Sequence, residues 1–428
     1  MEVFKNQSLK RPTMPHQRRK SERGGLLVVS MLICVLFVCT IILVLLSSHF
    51  LGNVSYVALV ETAKDVAVKP YARIATHRDT PSAVKGIYMT SCVASRKDLR
   101  TNIMKLIDTT ELNSVVIDVK TYDGYISFPA KKEELQPAVG GGCFVSDMQD
   151  FVDELHAKGI YVIGRIATFQ DNFMVKHRPE LAVKMFTDKT AVWKDRKGVS
   201  WIDAGAKEHW DYIALLAKDA YSIGFDEINF DYIRFPSDGD MKNIYFPFSE
   251  GRKKADVVEA FFAYLAQSLR DIPVKRSADL FGMVTTNTDD LNIGQVLEKA
   301  LPYFDYIAPM VYPSHYPYNF NNWGDPNKHP YDIIKYSMDR AVERTIATTT
   351  VVEVIGSRLI ATTTPYLYSK PVYDKNKLRP WLQDNNYPVT YTPEMVRAQM
   401  TATYDTGLNS WLLWNAANKY SKDALLVE

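Results

Sequence analysis

The chain has 428 residues, 46% of them hydrophobic and 23% charged, enough to bury a large core and unlike a disordered, collagen-like or disulfide-scaffolded chain. Lys+Arg 51 against Asp+Glu 49 gives a formal net charge of +2, but seven basic residues (Lys5, Lys10, Arg11, Arg18, Arg19, Lys20, Arg23) crowd into residues 1–25. The remainder holds 44 basic and 47 acidic residues, a net of −3, which argues against a nucleic-acid-binding body because phosphate recognition relies on a basic surface.

Residues 1–25 read as a basic cytoplasmic tail. Leu26 to Leu46 is a 21-residue run without charge, Pro or Gly, and at 1.5 Å per residue such a helix spans about 30 Å, the thickness of a bilayer's hydrocarbon core. The run exceeds a signal-peptide core and no small-x-small cleavage site follows, so a signal anchor is expected. The basic residues before it put that flank in the cytoplasm by the positive-inside rule and the body outside. The predicted localisation is therefore a single-pass cell-membrane protein with its large domain extracellular or periplasmic, and the bilayer is a partner through Leu26 to Leu46. Residues 47–83, with Pro70 and Pro81 and no sustained periodicity, are expected to form a stalk.

Cys34 and Cys39 fall in the span, leaving Cys92 and Cys143 in an oxidising-permissive compartment. Two separate buried thiols are the first reading and a disulfide the alternative. Neither cysteine has zinc-ligand spacing.

From residue 84 onward, short apolar runs alternate with amphipathic segments. Strands are predicted at Gly86 to Thr90, Ser114 to Val119, Ile160 to Ala167, Glu227 to Tyr232, Val274 to Val284, Tyr306 to Val311, Leu378 to Gln383 and Ser410 to Trp414. Helices are predicted at Asp98 to Ile107, Asp147 to Ala157, Lys207 to Ser222, Ala255 to Leu269, Asp332 to Arg344 and Pro393 to Tyr404. Eight βα units over residues 84–428 imply an α/β fold, a (β/α)8 TIM barrel. An open doubly wound sheet is disfavoured, since the first βα turn lacks GxGxxG and no GxxxxGK[ST] occurs. Thr345 to Pro371, with two Thr triplets around a β-branched run, is expected as an inserted hairpin or loop before the seventh strand.

Catalytic side chains of such barrels project from the C-terminal ends of the strands. In GFDEINFDYIRFPSDG (Gly224 to Gly239), alternation puts Glu227, Asn229 and Asp231 on one face. A polar file ending in a carboxylate is an odd core lining, so Asp231 is a catalytic candidate, with Arg234 near enough to pair with it. A buried ion pair that merely stabilises the loop is the structural alternative. Glycosidic hydrolysis needs a second carboxylate. Asp279, near the end of the next strand, is the first choice, although an Asp there also caps turns. Asp118 ends the second strand and is expected to bind substrate, with Lys120 two residues on pointing the same way. Asp203, in WIDAG, is a weaker binding candidate. Flat rings stack on pyranoses, so Tyr312, Trp381 and Trp414 are expected platforms, with Asn415 supplying an amide. His315 is the only histidine placed for binding. The eight histidines form no HExxH and no GxSxG elbow occurs, so no metal or cofactor is expected.

These stretches resemble a known family, the glycoside hydrolase domain family of bacterial (β/α)8 proteins formerly of unknown function. The resemblance runs through KGIYMT, NSVVIDVK, YVIGRIATFQD, GFDEINFDYIRFPSDG, SADLFG, YIAPMVYPSHY, RPWLQD and WLLWNA, from about residue 85 to 425, with FDYIRFP the most specific. It implies a barrel distantly similar to the α-amylase and α-galactosidase groups, in which an Asp ending the fourth strand is the nucleophile, here Asp231. Two departures stand out: the Thr345 to Pro371 insertion, and Thr121 and Tyr122 where the family tends to be acidic. The expected function is hydrolysis of an O-glycosidic bond in a polysaccharide or cell-envelope glycan, with Asp231 as nucleophile and Asp279 as acid/base. The rival is a non-catalytic glycan-binding or envelope-organising protein. A membrane scaffold acting through the Thr-rich insertion is the third class.

Overall fold

The computed structural model describes residues 36–42, 73–352 and 366–427. Contacts divide the chain into two units at Ala72/Arg73. In the first unit, residues 36–42 are helical, and the rest of the proposed span lies outside the described residues. Among the described residues no helix is long and apolar enough to cross a membrane.

The second unit is built on eight parallel strands: β1 (Lys85–Met89), β2 (Ser114–Lys120), β3 (Tyr161–Ala167), β4 (Glu227–Asp231), β5 (Lys275–Phe281), β6 (Tyr306–Met310), β7 (Trp381–Gln383) and β8 (Trp411–Trp414). Each pairs with its sequence neighbours, and β8 returns to β1 through Lys85↔Trp411, closing an α/β barrel. Strands of a closed parallel barrel are covered on both faces. This is why β2, β3 and β4 are buried at every position.

Amphipathic helices form the outer layer: α1 (Lys97–Ile107), α2 (Met148–Ala157), α3 (Lys207–Tyr221), α4 (Lys254–Ser268), α5 (Pro330–Ile346) and α6 (Pro393–Asp405). In α1 the buried residues Arg100, Ile103, Met104 and Ile107 recur at helical spacing and form one stripe against the strands. Just past α2, Gly159 takes φ +83°, the left-handed conformation that ends a helix at low steric cost. A short helix, Leu297–Ala300, fills the place between β5 and β6. Tyr88, Val116, Tyr161, Ile163, Ala308, Trp381 and Leu412 pack together inside the barrel, while the larger apolar cluster lies between strands and helices.

Residues 73–83, expected to end a stalk, instead run extended along the N-terminal ends of the strands. Arg73 pairs with Asp150 and Asp153, the Arg78 N–H donates to Asp226 Oδ1 at 2.7 Å, and Thr80 Oγ1 donates to the Tyr161 hydroxyl at 3.1 Å. Within the Thr345 to Pro371 segment, Thr349–Val352 and Tyr366–Ser369 pair antiparallel, and residues 353–365 lie outside the described residues. Cys92 and Cys143 form a disulfide, with Cα atoms 4.6 Å apart, joining the segments that follow β1 and β2; the reading of two separate thiols is corrected.

Candidate active site

The polar file of β4 is resolved into three levels. At the floor, Glu227 pairs with Arg379 at 3.0 Å and accepts from the Tyr161 hydroxyl. One level up, Asn229 donates to Ser277 Oγ and Asp279 Oδ1 at 3.1 and 2.8 Å. At the mouth, Asp231 ends the strand. The next residue, Tyr232, adopts φ +52°, a conformation costly for an aromatic residue and concentrated at functional sites. That turn brings the Tyr232 N–H back onto Asp231 Oδ1 at 2.6 Å.

The partner of Asp231 is Arg165, from the middle of β3. Its Nε and Nη2 donate to Asp231 Oδ2 at 3.1 and 2.6 Å, while Nη1 donates to Asp118 Oδ1 at 2.6 Å. The expected Arg234 pairing is corrected: Arg234 makes no salt bridge with Asp231, for β4 ends at Asp231, the left-handed turn at Tyr232 redirects the chain, and the Arg234 guanidinium donates instead to the Phe235 carbonyl and Ser237 Oγ. Asp118 also receives the Tyr88 hydroxyl. Lys120 does not face Asp118. The β2–β3 register shifts between Asp118 and Lys120, and this bulge sends the ammonium to Asp171, 2.8 Å away, with both groups fully buried.

Asp279 is buried on β5, where the paired residues Phe230 and Ala278 immediately precede Asp231 and Asp279. Its Oδ1 accepts from Asn229 Nδ2 and from Trp381 Nε1 at 2.7 Å. Burial, and then the negative charge of Asp231, hold the Asp279 carboxyl well above the usual carboxylate range. Two carboxyl groups thus share the mouth in unlike states, one gripped by a guanidinium and one favouring its proton.

A cavity of about 480 Å³ opens over this pair, and Arg165, Asp231, Arg234, Asp279, Tyr312, His315 and Trp414 are among its lining residues. Four expected binding residues do not line it. Asp118 lies beneath Arg165, fully enclosed. Trp381 is 1% exposed, so its ring is packing and its N–H a hydrogen-bond donor to Asp279. Asp203 is a pin between loops, accepting from the Gly205, Phe248 and Ser249 N–H groups. Asn415 ties the loops after β7 and β8, donating to the Asp384 carbonyl and accepting from the Ala417 N–H. Among the described residues, no group of three or more His, Cys, Asp or Glu side chains could hold a metal.

Arg165 is the residue that sequence reasoning did not single out. Its signal was present: on the inward file of β3, Tyr161, Ile163, Arg165, a charge interrupts an apolar face.

The chain is thus a TIM-barrel protein, a closed (β/α)8 barrel with the carboxyl groups of Asp231 and Asp279 neighbours at its C-terminal mouth. Residues 86–420 match the family described as "Putative glycosyl hydrolase domain", and the chain belongs to that family. The match covers most of the chain and makes it a member of a glycosidase family. Among solved structures, it is similar to the glycoside hydrolase domain of PgaB (BpsB) from Bordetella bronchiseptica, at 11% identity over 81% of this chain and 99% of that one, with a TM-score of 0.55. It is also similar to a β-galactosidase from the psychrophilic Marinomonas ef1, at 12% identity over 80% and 56% of the two chains, TM-score 0.50. A hypothetical protein from Ruminiclostridium thermocellum ATCC 27405 is 31% identical over 45% of this chain and 96% of that one, TM-score 0.41. No curated protein matches the chain.

Proposed function

We propose that the protein is a membrane-anchored glycoside hydrolase that cleaves an extracellular or cell-envelope polysaccharide by a two-carboxylate mechanism. The observation that carries this reading is the unlike pair on neighbouring strands. Asp231, hydrogen-bonded by Arg165 and the Tyr232 N–H, is suited to act as the anionic nucleophile. Asp279, whose proton is favoured by burial and by Asp231, is suited to protonate the departing glycosidic oxygen. Asn229 and Trp381 crowd Oδ1 of Asp279, while Oδ2 has no hydrogen-bond partner among the described residues and Asp279 lines the cavity, so the acidic proton can face the substrate. Arg165 also positions Asp231, because it is itself braced by Asp118.

The anchor is Leu26 to Leu46, with the basic flank cytoplasmic and the barrel outside. The Cys92–Cys143 disulfide supports an oxidising compartment for the barrel.

A second reading has a specific observation behind it. Asp231 is engaged in a buried ion pair, and a barrel that keeps its cleft for binding alone would tolerate such an arrangement. Hydrolysis decides between them. The full-length chain in detergent, screened against aryl glycosides and envelope polysaccharides, is expected to release reducing ends. Binding on a glycan array without release of product from any of them supports the binding protein. Protease added to intact spheroplasts is expected to digest the barrel and spare a small anchored stub; survival of the barrel until lysis reverses the orientation.

A further inference from the structure

Five arginines are buried among the described residues, and four of them face a carboxylate within 4 Å. Arg100 meets Asp147, Arg165 meets Asp118 and Asp231, Arg344 meets Glu298, and Arg379 meets Glu227. Arg234, 8% exposed, is the exception. Its Nη1 donates to the Phe235 carbonyl at 3.0 Å and to Ser237 Oγ at 3.2 Å. Among the described residues Nε and Nη2 have no hydrogen-bond partner, yet neither is sealed from solvent, and the residue lines the mouth cavity.

The acidic groups around it are otherwise committed or too far away. Asp231 is held by Arg165 and the Tyr232 N–H. Asp195 accepts from Trp201 Nε1 and from the Lys197 and Val199 N–H groups. Asp238, also on the cavity wall, lies outside salt-bridge distance. The guanidinium carbon sits 5.0, 5.5 and 4.9 Å from the ring centres of Trp201, Tyr232 and Phe281, within reach of cation–π attraction that partly offsets its desolvation. Burying an unpaired guanidinium is costly, and evidently so here, since burial pushes its pKa down. A guanidinium packed among aromatic rings on the cavity wall, with Nε and Nη2 unpaired among the described residues, is suited to take a carboxylate through two parallel hydrogen bonds.

We infer that the glycan bound in this cavity carries a carboxylate and that Arg234 selects for it through Nε and Nη2. This rests on the glycosidase reading of the cavity and narrows its substrate class to acidic glycans. Lys197, a second cation on the cavity wall with no salt bridge among the described residues, favours the same charge. The carboxylate can belong to a uronic acid ring or to an acidic ether substituent such as lactyl.

The test is calorimetric binding to the full-length chain carrying Asp231→Asn, which blocks turnover. The probes are oligo-uronides, lactyl-bearing amino-sugar oligosaccharides, and the carboxyl-reduced alcohol of each. A hydrogen bond to a charged group contributes roughly 1.5–3 kcal/mol, so the correct acid is expected to bind at least about tenfold tighter than its alcohol. Which series shows the difference identifies the source of the carboxylate. Arg234→Gln and Arg234→Lys are both expected to erase it, the lysine because it keeps the charge and loses the fork. The acid-against-alcohol comparison stands even where an Arg234 variant fails to fold. Equal affinity for acid and alcohol in both series overturns the inference. Cleavage of neutral glycans by the wild-type chain overturns it too, and leaves the glycosidase reading standing. Acid-selective binding with no cleavage of any glycan does the reverse.

Discussion

Arg165 grips Asp231 through two nitrogens that fall on the same oxygen, Oδ2, at 3.1 and 2.6 Å. Among the described residues, Oδ1 keeps only the Tyr232 N–H. The guanidinium therefore fixes the carboxylate and favours its charge without closing both oxygens in a fork-to-fork pair. Its third contact, to Asp118, braces the arginine from behind. One cation thus shares two carboxylates, and it cannot be removed without leaving both exposed to a low-dielectric interior.

The nucleophile role proposed for Asp231 predicts a separation of catalysis from binding. Asp231→Asn keeps the shape and would lose the attacking charge, so kcat is expected to fall by about three orders of magnitude or more, while oligosaccharide affinity measured by calorimetry stays within a few-fold. Unchanged hydrolysis in this variant would remove Asp231 from the mechanism.

Arg165→Met tests the other side of the pair. Losing one partner of a buried ion pair typically costs about 3–5 kcal/mol, because the remaining charges are uncompensated. Urea unfolding is expected to show a loss of that order. Adding Asp118→Asn to Arg165→Met should recover part of it by removing one orphaned charge. A double variant no more stable than Arg165→Met would show that Asp118 is not stressed by the loss.

Stereochemistry tests the role proposed for Asp231. Asp231 and Asp279 succeed the paired residues Phe230 and Ala278 on adjacent strands. Retaining glycosidases hold their carboxyl groups about 5–5.5 Å apart, whereas inverting ones need about 6.5–9.5 Å to admit a water. With Asp231 as the proposed nucleophile, the anomeric proton signal of the first-formed product is expected to show retention. Inversion would make Asp231 a base acting through water.

The disulfide predicts a stability difference rather than a catalytic one. Cys92 and Cys143 lie 51 residues apart in sequence and outside the cavity. Cys92→Ser with Cys143→Ser is expected to lower unfolding free energy by about 2–5 kcal/mol, with kcat/KM on a soluble substrate unchanged. A wild-type chain isolated from cells with both thiols open to alkylation would instead place the barrel in a reducing compartment.

The barrel was legible because each strand is a short apolar run bounded by turn residues, and the eight runs fall in order. The Glu227, Asn229, Asp231 file was legible too, since a period of two survives along an unbroken strand. Lys120 was misread where that period fails, at the bulge after Asp118. Arg165 was hidden for another reason. It is one charge in an apolar strand, and its partners lie 47 and 66 residues away in sequence. Trp381 opens β7 and pairs with Leu412, two residues below Trp414 at the end of β8, so only Trp414 reaches the cavity. The expected strand Leu378 to Gln383 placed Trp381 nearer the mouth than the observed one does.

The final prediction concerns pH and Asp279. Its carboxyl is held above the usual range by burial and by Asp231, so the folded chain keeps a proton that the unfolded chain has released. The stability linked to this group is fully present below the unfolded pKa and is lost as pH rises through the folded one. The proposed acid role of Asp279 needs the same proton, so the alkaline limb of kcat/KM is expected to follow the same ionisation. Asp279→Asn should therefore raise the melting temperature at neutral pH while abolishing cleavage of substrates with poor leaving groups. Aryl glycosides with good leaving groups should retain the glycosylation step. Trp381→Phe gives a finer measurement. Its Nε1–H donates to Asp279 Oδ1 and favours the charged form, so removing that donor should raise the carboxyl's pKa further and carry the alkaline limb to higher pH. A limb that moves to lower pH, or does not move while the variant remains folded, would assign the ionisation to a group other than Asp279.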